Sequence, residues 1–130
     1  MRSRTPGGVV HLELHTGNGP AACSFLTQLL GWKAQEIAHA DTAYLAVGMG
    51  DRVSGGIVEC GVGHPQWVPY VIVERVDRAT ARANELGASI ILEPREGPAG
   101  WRSVVTSPSS GALALWQLKP ESRRRLQYRS

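Results

Sequence analysis

The sequence predicts an α+β fold made of two βαβββ modules that form one cleft between curved sheets. Each half of the chain runs from an extended stretch through a turn and a helix-like segment to a Leu-Gly pair, Leu30-Gly31 in one half and Leu86-Gly87 in the other. A βαβββ unit of this length cannot bury both faces of its sheet alone, so two copies are expected to share one domain. At 130 residues, with 42% hydrophobic and 19% charged residues, the chain has the composition of one soluble domain.

The first module is predicted to span residues 9–60 and to open with a strand at 9–15. Apolar and polar side chains alternate there, as they do in a strand that is covered on one side. The apolar members are expected beneath a helix, and the polar members on the opposite face. The apolar set is Val10, Leu12 and Leu14, and the polar set is His11, Glu13 and His15.

A helix is predicted after the turn at residues 17–20. Asn18 or Thr16 is expected to cap its start, and Gly31 to end it. Three strands follow at 33–38, 42–47 and 53–59, and the glycine pair Gly55-Gly56 in the last one indicates a bulge or a close approach of another group. The buried stripe of the helix is predicted as Ala22, Phe25, Leu26 and Leu29.

The second module is predicted to span residues 67–118 and to repeat this order. A strand at 68–73 leads into a helix that ends at Gly87. Three further strands are expected at 89–93, 101–106 and 112–117, with a loop rich in glycine and proline at 94–100. Residues 1–8 and the basic segment 119–130 are expected to be terminal tails.

Charge, apolar runs and cysteine usage limit the classes of partner. The net charge of +3 comes from arginines near the two termini, so nucleic-acid binding is not predicted. No apolar run approaches the ~18–20 residues of a membrane span, and the first residues lack the apolar core of a signal peptide. Cys23 and Cys60 have no metal-motif spacing and are expected to be free thiols in a reducing compartment. A cytoplasmic protein without a nucleic-acid or membrane partner is therefore expected.

Several segments, in order, resemble the vicinal oxygen chelate superfamily, which has the glyoxalase/bleomycin-resistance fold. Leu29-Leu30-Gly31-Trp32 resembles its helix-to-strand junction, and residues 67–73 followed by Val76-Asp77 resemble the opening of its second module. Ser107-Pro108-Ser109-Ser110 followed by residues 113–117 resembles its closing hairpin. The resemblance covers about residues 8–118, and it implies a small-molecule ligand and a homodimer.

The metal enzymes of this family take one ligand from the first strand and one from the last strand of each module. The resemblance places His11 at the first ligand position and Glu59 near the second. The third falls on Val68, or on Trp67 if the register shifts by one, and the fourth falls on Ala114. None of these three side chains binds a metal, and a tight site needs at least three protein ligands. We therefore expect no cofactor.

The candidate catalytic residues are His11, Glu13 and His15, which follow one strand face at about 6.5–7 Å per step. Such a row can transfer protons as a general acid/base set, and the resemblance places this face in the cleft. Aromatic side chains and a hydroxyl could hold a flat organic ligand there. These candidate ligand-binding residues are Trp67, Tyr70, Trp101, Ser103 and Trp116.

Three functional hypotheses follow from these residues and the resemblance. The leading one is a protein that binds a small organic molecule and catalyses a metal-independent proton transfer, such as an isomerisation, cyclisation or elimination. The first alternative is a non-catalytic drug- or metabolite-binding protein of the resistance type. The second is a divalent-metal-dependent lyase or dioxygenase that uses His11, Glu59 and His64 of the connecting loop. The sequence leaves the choice between enzyme and binding protein open.

Overall fold

The structure, a computed structural model, describes residues 6–39, 42–50, 53–97 and 99–120. The chain divides into two compact units, which we name the first unit (His11–Val68) and the second unit (Met1–Val10 with Pro69–Ser130). Eight strands and two helices lie in the described ranges. They are β1 (Val9–Thr16), α1 (Gly19–Leu30), β2 (Lys33–His39), β3 (Thr42–Gly48), β4 (Ser54–Glu59), β5 (Gln66–Ile72), α2 (Val76–Glu85), β6 (Ser89–Glu96), β7 (Gly100–Ser107) and β8 (Gly111–Leu118).

The strands of the two units have the same connectivity. The order is β2-β3-β4-β1 in the first unit and β6-β7-β8-β5 in the second. In each, the opening strand pairs in parallel with the last strand, β1 with β4 and β5 with β8, and the other pairs are antiparallel. The parallel pairing requires a crossover, which the helix and the two intervening strands supply. The predicted α+β class and the βαβββ repeat are confirmed.

Helix α1 covers one face of the first unit's sheet. Its predicted buried stripe is partly wrong, because Phe25 and Leu29 are each 63% exposed. Cys23 packs against the core in place of Phe25, so the covered stripe is rotated toward Cys23 around the helix axis. The core consists of Leu14, Val47 and Ile57, with Ala22, Cys23, Leu26, Trp32, Leu45 and Met49 packed against it.

The ends of α1 follow the predicted local signals. The Asn18 side chain accepts a hydrogen bond from the Ala21 N–H at 3.1 Å, so Asn18 is the cap. Thr16 supports the same turn by accepting from the Asn18 N–H at 3.2 Å. Gly31 ends the helix at a φ of 71°, in the left-handed region that favours glycine.

A second cap comes from the last strand of each unit, and the sequence did not predict it. In the first unit the Gly19 N–H donates to Oε1 of Glu59 at 2.8 Å. In the second unit the Val76 N–H donates to Oε1 of Gln117 at 2.8 Å. Each bond satisfies one of the free N–H groups at a helix start and ties the helix to the strand beside its own opening strand.

Strand β6 is longer than predicted. The sequence places a loop at 94–100, but the strand continues to Glu96. Pro94 is tolerated because β6 is an edge strand, where a missing N–H removes no ladder bond on the outer side. Two shifts in the register with β7, between Ile90 and Leu92 and between Leu92 and Arg95, accommodate the irregular strand.

Helix α2 covers one face of the second unit's sheet. Val76, Val105 and Leu115 form the core there, and Trp101 packs against them. A buried polar pair crosses the same interface: Thr80 is 2% exposed, Ser103 is 0% exposed, and their hydroxyl oxygens are 2.7 Å apart. Because the Thr80 hydroxyl donates to the Val76 carbonyl, the Ser103 hydroxyl donates to Thr80.

Two further sequence expectations concern cysteines and membrane spans. Cys23 and Cys60 are free thiols. In the part of the chain that the structure describes, no helix has the length and apolar character needed to cross a bilayer.

The buried Thr80–Ser103 pair makes a testable contribution to stability. Thr80→Val keeps the side-chain shape but leaves the Ser103 hydroxyl buried without its acceptor, and should lower the free energy of unfolding by about 1–3 kcal/mol. Adding Ser103→Ala removes that unpaired hydroxyl, so the double variant should recover part of the loss. Urea unfolding of the two single variants and the double variant checks this. Losses that simply add would contradict the coupling.

Candidate functional site

The parallel pairing of β1 with β4 places the candidate catalytic residues on the face opposite α1. His11 pairs with Ser54 and Glu13 with Gly56, whereas the core residue Leu14 pairs with Ile57 on the helix side. Paired residues of neighbouring strands point to the same face. The sheet therefore collects His11, Glu13, His15, Tyr44 and Ser54 on one surface of the first unit, and we name this set the His–Glu cluster.

Glu13 links the two histidines of this cluster. Its Oε1 lies 2.9 Å from Nε2 of His15, and its Oε2 lies 3.3 Å from Nε2 of His11. The Glu13 side chain is buried, with 6% of the residue exposed, while both imidazoles are partly exposed. An ionised carboxylate only accepts hydrogen bonds, so the proton in each of these bonds lies on Nε2 of the histidine. In the neutral ring, Nδ1 is then the nitrogen without a proton.

Ser54 and Tyr44 complete the surroundings of His11. The Ser54 Oγ lies 2.6 Å from Nδ1 of His11, and the Tyr44 hydroxyl lies 3.4 Å from its Nε2. Burial and, as the smaller cause, the nearby Glu13 carboxylate together raise the pKa of Tyr44 to about 12. Tyr44 is therefore a protonated phenol at neutral pH, and its oxygen faces the Nε2–H of His11 as an acceptor.

The glycine pair in β4 provides the space for this arrangement. A Cβ on Gly56 would collide with the hydroxyl and ring of Tyr44, and a Cβ on Gly55 would collide with the Met49 side chain on the other face. The register between β1 and β4 runs without interruption through both glycines. Of the two predicted explanations, a close approach is confirmed and the bulge is wrong.

The residues at the family's metal positions do not fit a divalent ion. Glu59 lies on the helix-facing side of β4 and caps α1, so it is not oriented toward His11. Val68 and Ala114 are buried and apolar, and His64 lies exposed in the loop after β4. Within the described residues, no group of three His, Cys, Asp or Glu side chains is arranged to hold a metal. His11 and Glu59, the two ligand positions that the resemblance offered, therefore lie on opposite faces of the sheet.

Two of the predicted ligand-binding residues lie together in the second unit. The Tyr70 and Trp116 rings are 6.4 Å apart between centroids and inclined at 58°. Arg102, which sequence reasoning missed, donates from Nη1 to the Tyr70 hydroxyl at 2.8 Å. Its place on β7 opposite Trp116 of β8 could have been found only from the strand register. We name Tyr70, Arg102 and Trp116 the Arg–Tyr cluster.

The other three predicted ligand-binding residues do not join either cluster. Ser103 is fully buried under α2 and its hydroxyl is used by Thr80, so its predicted role in ligand binding is not supported. Trp101 packs against the core beneath α2, with the ammonium group of Lys119 5.6 Å from its ring centroid. Trp67 is 40% exposed and meets Trp32 edge to face at 6.4 Å in the first unit.

The raised pKa of Tyr44 predicts a loss of stability between pH 10 and about 12. The unfolded chain releases the Tyr44 proton first as the pH rises, so the free energy of unfolding falls until the folded pKa is reached. Tyr44→Phe should remove this part of the fall in urea unfolding across that range. Glu13→Gln should lower the Tyr44 pKa without restoring its ordinary value, because burial is the larger cause. Equal pH profiles for the wild type and Tyr44→Phe would contradict the assignment.

Comparison with known proteins gives relatives of about twice this length. The anthracycline biosynthesis protein DnrV of Streptomyces peucetius is 32% identical over 122 residues, which cover 88% of this chain and 42% of that protein. A candidate glyoxylase, CFP32 of Mycobacterium bovis, is 27% identical over 124 residues, which cover 89% of this chain and 46% of that protein. The chain thus spans less than half the length of these curated relatives. No protein-family model matches it.

Solved structures show the fold. The methylmalonyl-CoA epimerase of Mycobacterium tuberculosis superimposes with a TM-score of 0.61 at 14% identity, covering 90% of this chain and 91% of that one. A methylmalonyl-CoA epimerase in complex with methylmalonyl-CoA gives a TM-score of 0.63 at 11% identity, covering 89% of this chain and 97% of that one. The chain therefore has the glyoxalase/bleomycin-resistance fold, as its resemblance to the vicinal oxygen chelate superfamily predicted.

Proposed function

We propose that the protein binds a small organic molecule and transfers a proton on it, with the His–Glu cluster as a metal-independent acid/base set. The reaction class would be an isomerisation, cyclisation or elimination next to a carbonyl group. Relatives named for anthracycline biosynthesis and glyoxylase activity support an organic substrate. Structural neighbours that are epimerases support chemistry at an acidic carbon, since epimerisation requires removal and return of a proton.

The observation that carries this proposal is the buried Glu13 carboxylate held between two imidazoles. A buried carboxylate is costly unless its oxygens are hydrogen-bonded, and here each oxygen faces a different histidine at 2.9 and 3.3 Å. A carboxylate that accepts from one imidazole nitrogen fixes the tautomer and orientation of the ring and stabilises the imidazolium that forms when the other nitrogen takes a proton. Glu13 thus serves as a positioning residue for both histidines.

The two histidines differ in what their second nitrogen can do. Nδ1 of His11 is occupied by the Ser54 hydroxyl at 2.6 Å. Nδ1 of His15 makes no hydrogen bond within the described part of the chain, and the His15 side chain is 24% exposed. His15 is therefore the better placed general base, and His11, beside the phenol of Tyr44, is the better placed acid. This extends the sequence hypothesis, which emphasised His11 and Glu13.

Exchange of a carbon-bound hydrogen tests this role directly. The wild-type protein should accelerate deuterium incorporation next to the carbonyl in at least one member of a panel of CH-acidic ketones, esters and thioesters, with methylmalonyl-CoA included, followed by NMR in D2O. His15→Ala should slow the active exchange by about 10²–10⁴-fold, the usual effect of losing a general acid or base. Glu13→Gln should slow it as well, because it removes the carboxylate that orients His15 and stabilises its imidazolium. The two losses should not add fully, because the groups act as a unit.

His64→Ala is the matched control, since it removes an exposed imidazole from the loop between β4 and β5. It should leave the exchange rate unchanged. An equal loss in His64→Ala, or full activity in both His15→Ala and Glu13→Gln, would reject the acid/base proposal.

The alternative, a binding protein without turnover, is favoured by one observation, the ring pair of Tyr70 and Trp116 in the second unit. In that case Trp116→Leu should weaken the binding of a polycyclic aromatic ligand such as anthraquinone by more than about 1 kcal/mol, measured by calorimetry. Trp101→Leu serves as a control, because Trp101 packs in the core beneath α2. Binding that depends on Trp116, together with no exchange on any substrate, would favour this alternative over catalysis.

A homodimer stays a prediction from the family resemblance. The first unit leaves Phe25 and Leu29 of α1 exposed, and these side chains border a shallow groove with Ala21, Ser24 and Gln28. An exposed apolar strip of this kind is typical of contact surfaces. Its exposure supports the homodimer prediction without identifying the partner.

A further inference from the structure

Tyr70 and Arg102 occupy the same register positions in the second unit that Glu13 and Tyr44 occupy in the first. Glu13 of β1 pairs with Gly56 of β4, and Tyr44 of β3 pairs with the residue two further along β4. Tyr70 of β5 pairs with Ala114 of β8, and Arg102 of β7 pairs with the residue two further along β8. Each unit therefore has two polar side chains at equivalent positions around a small residue, Gly56 or Ala114, on the face away from its helix.

The chemistry at this place is different in the two units. In the first unit it is a buried carboxylate beside a phenol. In the second unit it is a guanidinium that donates to a phenol oxygen at 2.8 Å, with Tyr70 only 8% exposed. The first unit thus presents negative charge at this position, and the second unit presents positive charge.

Arg102 is partly buried and takes part in no ion pair among the described residues. Arg75 and Arg82 pair with the carboxylates of Asp77 and Glu85 at the surface. None of the ion pairs among the described residues involves Arg102, which lies in the partly buried class. A guanidinium has five N–H donors in a planar fork, and the hydrogen bond to Tyr70 uses one of them. Taking such a cation partly out of water is favourable when an anion accepts the remaining donors.

The neighbouring rings restrict the shape of that anion. Trp116 lies opposite Arg102 in the β7–β8 pairing, and its ring meets the Tyr70 ring at 6.4 Å. Ala112 and Ala114 precede Trp116 on the same face of β8. Ala114 is fully buried, whereas Ala112 and Trp116 are partly exposed. A planar ring can pack against the indole while a carboxylate attached to it reaches the guanidinium in a two-pronged contact.

We propose that the Arg–Tyr cluster is a binding site for an organic carboxylate attached to a flat ring system. Arg102 binds the carboxylate, the Tyr70 hydroxyl holds the guanidinium in place, and Trp116 packs against the ring. This site is defined within the second unit and needs no proton transfer at the His–Glu cluster. Its test therefore has an outcome that is independent of the proposed function.

The experiment compares two ligands that share one ring system, anthraquinone-2-carboxylate and the uncharged anthraquinone-2-carboxamide. Affinity is measured by calorimetry on the full chain. The wild-type protein should bind the carboxylate about 10- to 100-fold more tightly than the carboxamide, the range expected for hydrogen bonds to a charged group. Arg102→Gln should make the two affinities equal. Arg102→Lys should retain only part of the preference, because an ammonium cannot form the two-pronged contact.

Two control variants separate this site from general effects. Arg78→Gln removes one positive charge from the exposed surface of α2 and should keep the wild-type preference. Glu13→Gln should also keep it, whatever it does to proton exchange. Trp116→Leu should weaken both ligands by a similar factor, because it removes the contact with the ring and not with the carboxylate.

Three results would overturn the proposal. The first is equal binding of carboxylate and carboxamide by the wild-type protein. The second is an equal loss of preference in Arg78→Gln and Arg102→Gln, which would indicate a nonspecific charge effect. The third is no binding of either ligand at millimolar concentration by a wild-type protein that circular dichroism shows to be folded.

Discussion

The parallel pairing between the opening and closing strands of each unit is the constraint on which the rest of the structure depends. It brings β1 beside β4 and β5 beside β8, and it requires the helix to cross over one face. Once that face is covered, the period of two along a strand assigns every side chain to a helix side or an open side. The His–Glu cluster, the Arg–Tyr cluster and both helix caps follow from this assignment.

The buried polar groups named here have specific hydrogen-bond partners. Glu13 lies between two imidazoles, Ser103 bonds to Thr80, and Glu59 accepts from a helix N–H. Each of these groups would be costly to bury without its partner. The same requirement distinguishes structural from functional polar residues here. Glu59 and Ser103 are satisfied on the helix side, whereas the imidazoles held by Glu13 remain partly exposed on the open side.

The two units keep the same connectivity and differ in the chemistry at equivalent positions. A helix cap from the last strand is kept in both, as Glu59 in one and Gln117 in the other. The pair on the open face differs between the units. Glu13 and Tyr44 of the first unit correspond to Tyr70 and Arg102 of the second. The helix cap needs a hydrogen-bond acceptor in both units, whereas the open-face positions carry different charges.

The sequence by itself determined the element order, the repeat, a cap of α1 at Asn18 or Thr16, its end at Gly31 and the shared face of His11, Glu13 and His15, because these depend on local turn chemistry and on the period of a strand. The tertiary structure decided which partners those faces meet. Only the registers of β4 with β1 and with β3 brought Ser54 and Tyr44 to His11 and turned Glu59 toward α1. The pairing of β7 with β8 placed Ser103 beneath α2. Only the β7–β8 register placed Arg102 beside Tyr70 and Trp116. Contacts between residues distant in sequence depend on strand register, and a shift of one residue would move every one of these side chains to the other face.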